Sequence, residues 1–373
     1  MLTSIYVHIP FCDHICTYCD FHKEIASDRK KRNYIDALCR ELVVHQDDLV
    51  DIKTIYIGGG TPLSLDEQLL AKLLETISQV VDTSRLVEYT IETNPNNLTA
   101  SKIALLQHHG VNRVSIGVQT FQSAQLKFLN RDHKLADVTN GIQLLRDAKF
   151  PTISVDMIFS LIGQTMAELD DDLNKVIALG VDHISYYSLI LEEKTILFHM
   201  YRKNEIEPND EDLEGAMYER VIDTLQANGY DQYEISNFAR NGAESEHNKT
   251  YWLNRDYRGF GSGAHSLMDG KRFYHEPNVR RYIQRAASDD FQPTSVEVTD
   301  GLADALMLGL RLTKGVSVTE LNQRYDTDLF ARYPELNNHI NNGFIIHDND
   351  RLFLSRSGIL LGNIVFQTFV EVT

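Results

Sequence analysis

Ser4-Ile5-Tyr6-Val7-His8-Ile9-Pro10-Phe11-Cys12-Asp13-His14-Ile15-Cys16-Thr17-Tyr18-Cys19 joins a strand-like run, Ser4 to Ile9, to three cysteines in C-x3-C-x2-C spacing. Thiolates this close on a loop can converge on a compact iron–sulfur cube. Three ligands leave one of four irons without a cysteine, and an open coordination position is what a substrate-binding metal centre needs. Zinc is the alternative: Cys12, Cys16 and Cys19 with His14 or His22 would make a tetrahedral Cys3His site. A βα chain of 373 residues needs no such metal staple, which disfavours zinc. The remaining cysteine, Cys39, lies in the helical pattern Tyr34 to Val44 and reads as a small buried hydrophobe. Three of four cysteines crowded together form a ligand pattern, not a disulfide framework.

Outward from this loop, short runs rich in β-branched and aromatic residues recur: Thr54 to Ile57, Leu86 to Glu92, Arg113 to Val118, Thr152 to Phe159 and His183 to Leu189. Helix-period stretches separate them: Tyr34 to Leu49, Leu65 to Val81, Thr99 to His109, Ala136 to Ala148 and Met166 to Leu179, with Gly110 and Gly180 placed as helix stops. Six βα units in series predict an α/β fold, a parallel sheet curled into an open (β/α)6 partial barrel. Gly58, Glu92, Gln119 and Asp156 then fall at or beyond the C-terminal part of a strand, the face where βα barrels place chemistry. The alternation ends near Leu191, and a longer helix pattern, Asp210 to Asn228, follows. The predicted division is residues 1–239 for the barrel and 240–373 for a smaller α+β domain ending in the alternating segment Gly343 to Leu354.

Acidic residues number 53 against 36 Lys and Arg, a net charge of −17 that repels a phosphate backbone and argues against nucleic acid as a partner. The N-terminus lacks the basic, apolar and small-residue regions of a signal peptide, and no apolar run is long enough to span a bilayer. A cytoplasmic protein, at most peripheral at a membrane, is the expectation.

The cysteine triplet with Tyr18 before the third cysteine, and the turn Gly58-Gly59-Gly60-Thr61-Pro62 after a strand, resemble the signature of radical S-adenosylmethionine (SAM) proteins. The resemblance implies a [4Fe-4S] cluster whose open iron is chelated by SAM, with the hard chemistry, reductive cleavage of SAM, left to the cofactors. The glycines are expected to let backbone approach the ligand and offer free N–H groups. A narrower resemblance spans nearly the whole chain. Tyr6-Val7-His8-Ile9-Pro10-Phe11-Cys12, Glu92-Thr93-Asn94-Pro95, Ser115-Ile116-Gly117-Val118-Gln119-Thr120, Leu129-Asn130-Arg131-Asp132-His133 and Asp156-Met157-Ile158-Phe159 are similar to oxygen-independent coproporphyrinogen III oxidases and to the haem chaperone HemW group. This resemblance implies that Tyr6, Tyr18, Gly59, Gly60, Thr61, Glu92, Gln119, Arg131 and Asp156 contact SAM. Ser160-Leu161-Ile162-Gly163-Gln164 departs from the family's Gly-Leu-Pro-Gly-Gln turn.

Two features separate the branches. The oxidases follow the third cysteine with Cys-x-Cys and carry an N-terminal extension; here Phe21 stands in Cys19-Asp20-Phe21, and the motif begins within the first twelve residues. His247-Asn248-Lys249-Thr250-Tyr251-Trp252 resembles the HNxxYW motif of the haem chaperones, which implies haem binding at this segment. An imidazole from His247 would serve as axial ligand, Tyr251 and Trp252 as flat faces, and Lys249, Arg255 or Arg258 as propionate partners. Read without the resemblance, His247 caps a turn and Trp252 anchors the second domain. The expected function is therefore a haem chaperone that passes haem to an acceptor protein, with a membrane-bound haem enzyme as the candidate acceptor, and the rival is the porphyrinogen oxidase itself.

Overall fold

The computed structural model describes residues 2–370. Strands β1 (Ser4–Ile9), β2 (Thr54–Gly59), β3 (Glu88–Thr93), β4 (Arg113–Gln119), β5 (Thr152–Phe159) and β6 (His183–Ser188) lie side by side in chain order, all parallel. The crossovers are helices α1 (Asp28–Val44), α2 (Glu67–Val80), α3 (Ala100–His108), the pair α4 (Ser123–Phe128) and α5 (Leu135–Asp147), and α6 (Met166–Ala178). Four of them begin where an orphan N–H finds a side chain: Ser27, Asp66, Thr99 and Thr165 cap α1, α2, α3 and α6. Gly110 and Gly180 end α3 and α6 at φ of 81° and 58°, values that favour glycine. Helix α4, absent from the periodicity because it is so short, ends where Asn130 turns left-handed at φ 57°.

The strand faces divide the labour. Val7, Ile9, Ile55, Ile57, Ile91, Val114, Ile116, Ile153, Val155 and Ile184 are buried in the same core as Leu69, Leu70, Leu73, Leu74 and Ile77 of α2. The alternate positions are polar. Register aligns Glu92 with Ser115, Ser115 with Ser154 and Ser154 with His183, and one rung higher Gly117 with Asp156 and Asp156 with Ser185. Polar rungs on the inner face are affordable only because the sheet does not close and a cavity occupies the concave side.

Past β6 come α7 (Ile196–Arg202), α8 (Glu211–Ala227), β7 (Asp231–Glu234), β8 (Asn237–Ala239) and α9 (Glu246–Trp252). Strand β8 pairs antiparallel with β6, and β7 with β8. At the other edge β9 (Tyr257–Phe260) adds in parallel to β1, followed by β10 (His265–Met268), β11 (Lys271–Tyr274) and β12 (Ser295–Val298) in antiparallel succession. The result is one 12-stranded open sheet. Residues 257–298 complete the first sheet, and a separate core forms only from Leu302, Leu306, Leu310, Leu329, Leu352 and Phe369. This C-terminal unit carries β13 (Val316–Ser317), β14 (Ile345–Asp348) and β15 (Arg351–Leu354), the last two being the alternating segment read from the sequence.

Candidate functional site

The concave face of β1 to β6 encloses a cavity with about 1530 Å³ of empty space, counting its part open to solvent. Cys12, Cys16, Tyr18 and Cys19 line it together with Gly59, Gly60, Thr61, Glu92, Gln119, Arg131 and Asp156. Of the residues expected to hold the cluster, contact SAM or ligate haem iron, Tyr6 and His247 are not among the lining.

The cysteine loop is pinned on both flanks. Cys12 N donates to Glu24 O at 3.2 Å, Thr17 N to Leu129 O at 3.2 Å, Leu197 N to Thr17 O at 3.0 Å, and Asn130 Nδ2 to Ile15 O at 2.7 Å. Lys23 donates to the Cys19 carbonyl and lies 3.2 Å from that of Phe21. Thr61 Oγ1 lies 3.7 Å from Cys12 Sγ and Arg131 Nη1 3.6 Å from Cys16 Sγ. All three thiols are unpaired, and burial pushes Cys12 up to about 11 and Cys19 upward too. A nearby positive charge, such as a coordinated iron centre would provide, offsets that burial and favours the thiolate. Among the described residues no three His, Cys, Asp or Glu side chains gather closely enough to hold a single ion. Three thiols at one end of a large cavity fit a multi-iron cluster better than a lone zinc.

Beside this loop Tyr56 Oη donates to Glu92 Oε1 at 2.6 Å, and the Gly59 N–H to Oε2 at 3.1 Å. Burial, with the Asp156 carboxylate adding to it, raises Glu92 to about 7. Asp156 is also pushed up by burial, and it accepts from Ser115 Oγ at 3.0 Å. Arg131, placed by the left-handed turn after α4, donates to the Gly117 carbonyl. Gln119 adopts φ 71° at a register shift between β4 and β5, and a Cβ at Gly117 would sit 2.8 Å from its Nε2. This strained residue lies inside the cavity, where held strain is most often found. Asn94 Nδ2 reaches Thr61 Oγ1 at 3.2 Å.

The glycine turn departs from expectation. Its N–H groups are not free: Gly59 donates to Glu92, and Gly60 to Ile9 O at 2.8 Å. A Cβ at Gly59 would meet the His8 ring at 2.5 Å, and one at Gly60 would meet the Phe11 carbonyl at 2.6 Å. The missing side chains serve close packing of the chain on itself. An ammonium donates hydrogen bonds, so carboxylate and carbonyl oxygens are the partners it needs here. The Ser160–Gln164 turn closes on itself, with Gln164 N on Leu161 O at 2.8 Å and Ser160 at φ 56°, and Asp156 stays within β5 facing the cavity.

Several lining residues escaped the sequence reading: Tyr56, Asn94, Arg113, Ser115, His183, Ser185 and Tyr187. The signal was present as period-two polarity within the runs rich in β-branched and aromatic residues, Arg113-Val114-Ser115-Ile116-Gly117 being one example.

Tyr6 lies just outside, its hydroxyl 2.9 Å from His8 Nδ1 and its ring stacked on Tyr56. His247 is fully buried at 0% exposure on the inward side of α9. Its Nδ1 lies 2.9 Å from Thr54 Oγ1 and its Nε2 2.7 Å from Tyr251 Oη, and burial lowers it to about 3. Both ring nitrogens are thus occupied within the fold, and a role as axial ligand requires α9 to turn. The expected propionate partners are also engaged or elsewhere. Lys249 pairs with Glu244 and Glu246 at 2.7 and 2.6 Å, Arg258 with Asp48 at 2.6 Å, and Arg255 lines neither cavity.

A cysteine-lined open sheet of this kind defines a radical SAM protein: residues 6–176 match the radical SAM superfamily and residues 296–361 the HemN C-terminal domain. Relatives span the chain from end to end. "Heme chaperone HemW" of Bacillus subtilis (strain 168) is 39% identical, with 99% of each chain covered. "Heme chaperone HemW" of Lactococcus lactis is 37% identical, covering 98% of this chain and 97% of that one. Coproporphyrinogen III oxidase (HemN) of Escherichia coli shares the fold, with a TM-score of 0.86 at 21% identity over 100% of this chain and 91% of that structure. The chain belongs to the haem chaperone HemW family. The radical SAM family implies a [4Fe-4S] cluster and SAM.

Proposed function

We infer that this chain is a haem carrier that binds haem and transfers it to an acceptor protein. The observation that carries this reading is its identity, over essentially the full length of both chains, with relatives named as haem chaperones. Phe21 supports it, standing where the oxidases have a further cysteine; its side chain is 67% exposed at the cavity mouth. The likeness to the E. coli oxidase is one of fold, and the oxidase reading is not favoured.

Cys12, Cys16 and Cys19 would hold the cluster, which supplies an electron donor and an open iron for SAM when bound. The chain's own residues then orient SAM. The Glu92 carboxylate, fixed by Tyr56 and Gly59, is suited to the ammonium, and the Arg131 guanidinium to the carboxylate. Asp156, with Ser115 behind it, is suited to ribose hydroxyls, and Tyr18, Gly60, Thr61 and Gln119 to the walls. Tyr6 supports Tyr56 from behind. Haem would dock near α9, with His247 a ligand only after that helix rearranges. Residues 1–239 carry the cluster and SAM in this proposal, and 240–373 the haem segment.

No helix among the described residues is long and apolar enough to cross a membrane. We place the acceptor in a membrane, with this protein approaching from the cytoplasm. The test loads the reconstituted protein with haem, mixes it with haem-depleted membranes or haem-depleted soluble extract, and follows recovered haem-enzyme activity. Recovery in the membrane fraction beyond that given by free hemin is expected. Recovery no better than with free hemin in either fraction rejects the carrier role, and recovery confined to the soluble fraction rejects the membrane acceptor.

A further inference from the structure

A second cavity, with about 860 Å³ of empty space including its open side, lies between α9 and the C-terminal unit. Lys249 and Trp252 enter it from α9; Lys314, Arg324 and Arg351 enter it from the C-terminal unit. These four cations share the lining with two carboxylates, Glu244 and Glu320. The local balance is positive in a chain whose net charge is −17.

Lys249 is neutralised by Glu244 and Glu246. The other cations are not: Lys314, Arg324 and Arg351 form no ion pair with any described residue. Arg324 Nη2 donates to the Asn254 carbonyl at 2.7 Å and Arg351 Nε to the Lys314 carbonyl at 3.1 Å, so backbone oxygens hold these guanidiniums in place, and the neighbouring Asp350 carboxylate offsets Arg351 only in part, without an ion pair. Trp252 brings a flat face, and Arg311 stacks on its ring at 4.7 Å. Its indole Nε1–H is buried and has no hydrogen-bond partner among the described residues, a donor left for an acceptor to satisfy. Uncancelled cations around an aromatic plane with a spare donor suit a planar ligand that carries carboxylates.

We propose that this cavity anchors the propionate edge of haem, with Lys314, Arg324 and Arg351 taking the carboxylates and Trp252 the macrocycle. The proposal rests on the haem-carrier reading and gives that ligand a place. It also separates two faces of one helix: Ser245 and Asn248 line the SAM cavity, whereas Lys249 and Trp252 line this one. Haem held here lies across α9 from the cluster, and it is gripped by its acids without any need for His247 to leave its buried position.

The experiment titrates the full-length, reconstituted protein with hemin and, separately, with hemin dimethyl ester, whose propionates are blocked. Sole tryptophan Trp252 reports by quenching of its emission, and the Soret band reports independently. Unsubstituted protein should prefer hemin over the ester by about tenfold or more. The variant Lys314→Glu/Arg324→Glu should lose that preference and bind both forms as weakly as the unsubstituted protein binds the ester. Lys314→Gln, at an exposed side chain with no partner, should show a smaller loss in the same direction and guards against misfolding of the double variant. Arg202→Glu/Lys203→Glu at the C-terminal end of α7 makes the same charge change elsewhere and should behave as the unsubstituted protein does. Equal affinity for hemin and ester, or a preference that survives in both cavity variants, overturns the anchor while leaving the carrier reading intact. Failure of the unsubstituted protein to bind either form removes both.

Discussion

The Tyr56 hydroxyl lies 2.6 Å from Oε1 of Glu92, and this contact holds a buried carboxylate in one orientation at the edge of the cysteine loop. Burial raises Glu92 to about 7, and the Tyr56 hydrogen bond works against that rise. An ammonium is attracted only by the ionised form, so SAM affinity should fall as pH drops through about 7. Tyr56→Phe removes a bond that favours the carboxylate and should shift this decline to higher pH; Glu92→Gln should weaken SAM at every pH. For the SAM-free protein the sign is opposite. A folded-state value above the unfolded one adds stability below the unfolded value of about 4.3, and this is lost as pH rises through about 7. Calorimetric SAM titrations and unfolding midpoints across this range check both trends.

Arg131 sits between the Gly117 carbonyl and Cys16 Sγ, and in the proposed site its charge would serve ligand and cluster together. Arg131→Ala should lower SAM affinity roughly 10- to 100-fold, the range expected when a charge-assisted hydrogen bond is lost. Iron and acid-labile sulfide per chain should change little, because the thiolates remain.

Cys12→Ser, Cys16→Ser or Cys19→Ser should each abolish a stable cluster on anaerobic reconstitution, whereas Cys39→Ser should leave iron and sulfide content unchanged. Cys39 packs in the core and lies 3.9 Å from the Lys72 carbonyl, far along the chain from the loop. Iron and sulfide assays with the visible absorbance of the cluster decide this.

Ser160 occupies φ 56°, where a side chain costs roughly 1–2 kcal/mol. Ser160→Gly relieves that strain against the greater freedom glycine has when unfolded, and should stabilise by about 1 kcal/mol or less. A raised midpoint of urea unfolding is the expected result.

The buried bond from His247 to Thr54 ties α9 to β2, and the bond to Tyr251 braces the ring within α9. His247→Ala leaves two hydroxyls without that partner and opens a cavity, and should destabilise by about 2–4 kcal/mol. Reduced haem binding by this variant therefore needs to be read beside its unfolding curve. Thr54→Val, which removes the hydroxyl's bonds to His247 and Ser4 and keeps the ring, should cost about 1–3 kcal/mol and leave haem binding intact.

What was readable beforehand follows from where each signal resides. The cysteine spacing, the βα alternation and the strand-end positions of Glu92 and Asp156 are local patterns, and the structure brings them to one cavity. Tyr56 was hidden because a tyrosine among isoleucines reads as core until register sets it across from Tyr6 and Thr90. The parallel addition of β9 to β1 joins residues about 250 positions apart, a pairing no local pattern encodes. His247 and Trp252 were read as one haem-facing motif, but the turn of α9 sends them to different sides, one against Thr54 and the other into the second cavity.

The most direct test is an anaerobic titration of the reconstituted, SAM-bound protein with hemin, followed by addition of reductant and coproporphyrinogen III to a parallel sample. The account predicts saturable, stoichiometric Soret changes in the first and no protoporphyrinogen in the second. Absence of saturable haem binding, or turnover of the porphyrinogen, would contradict it.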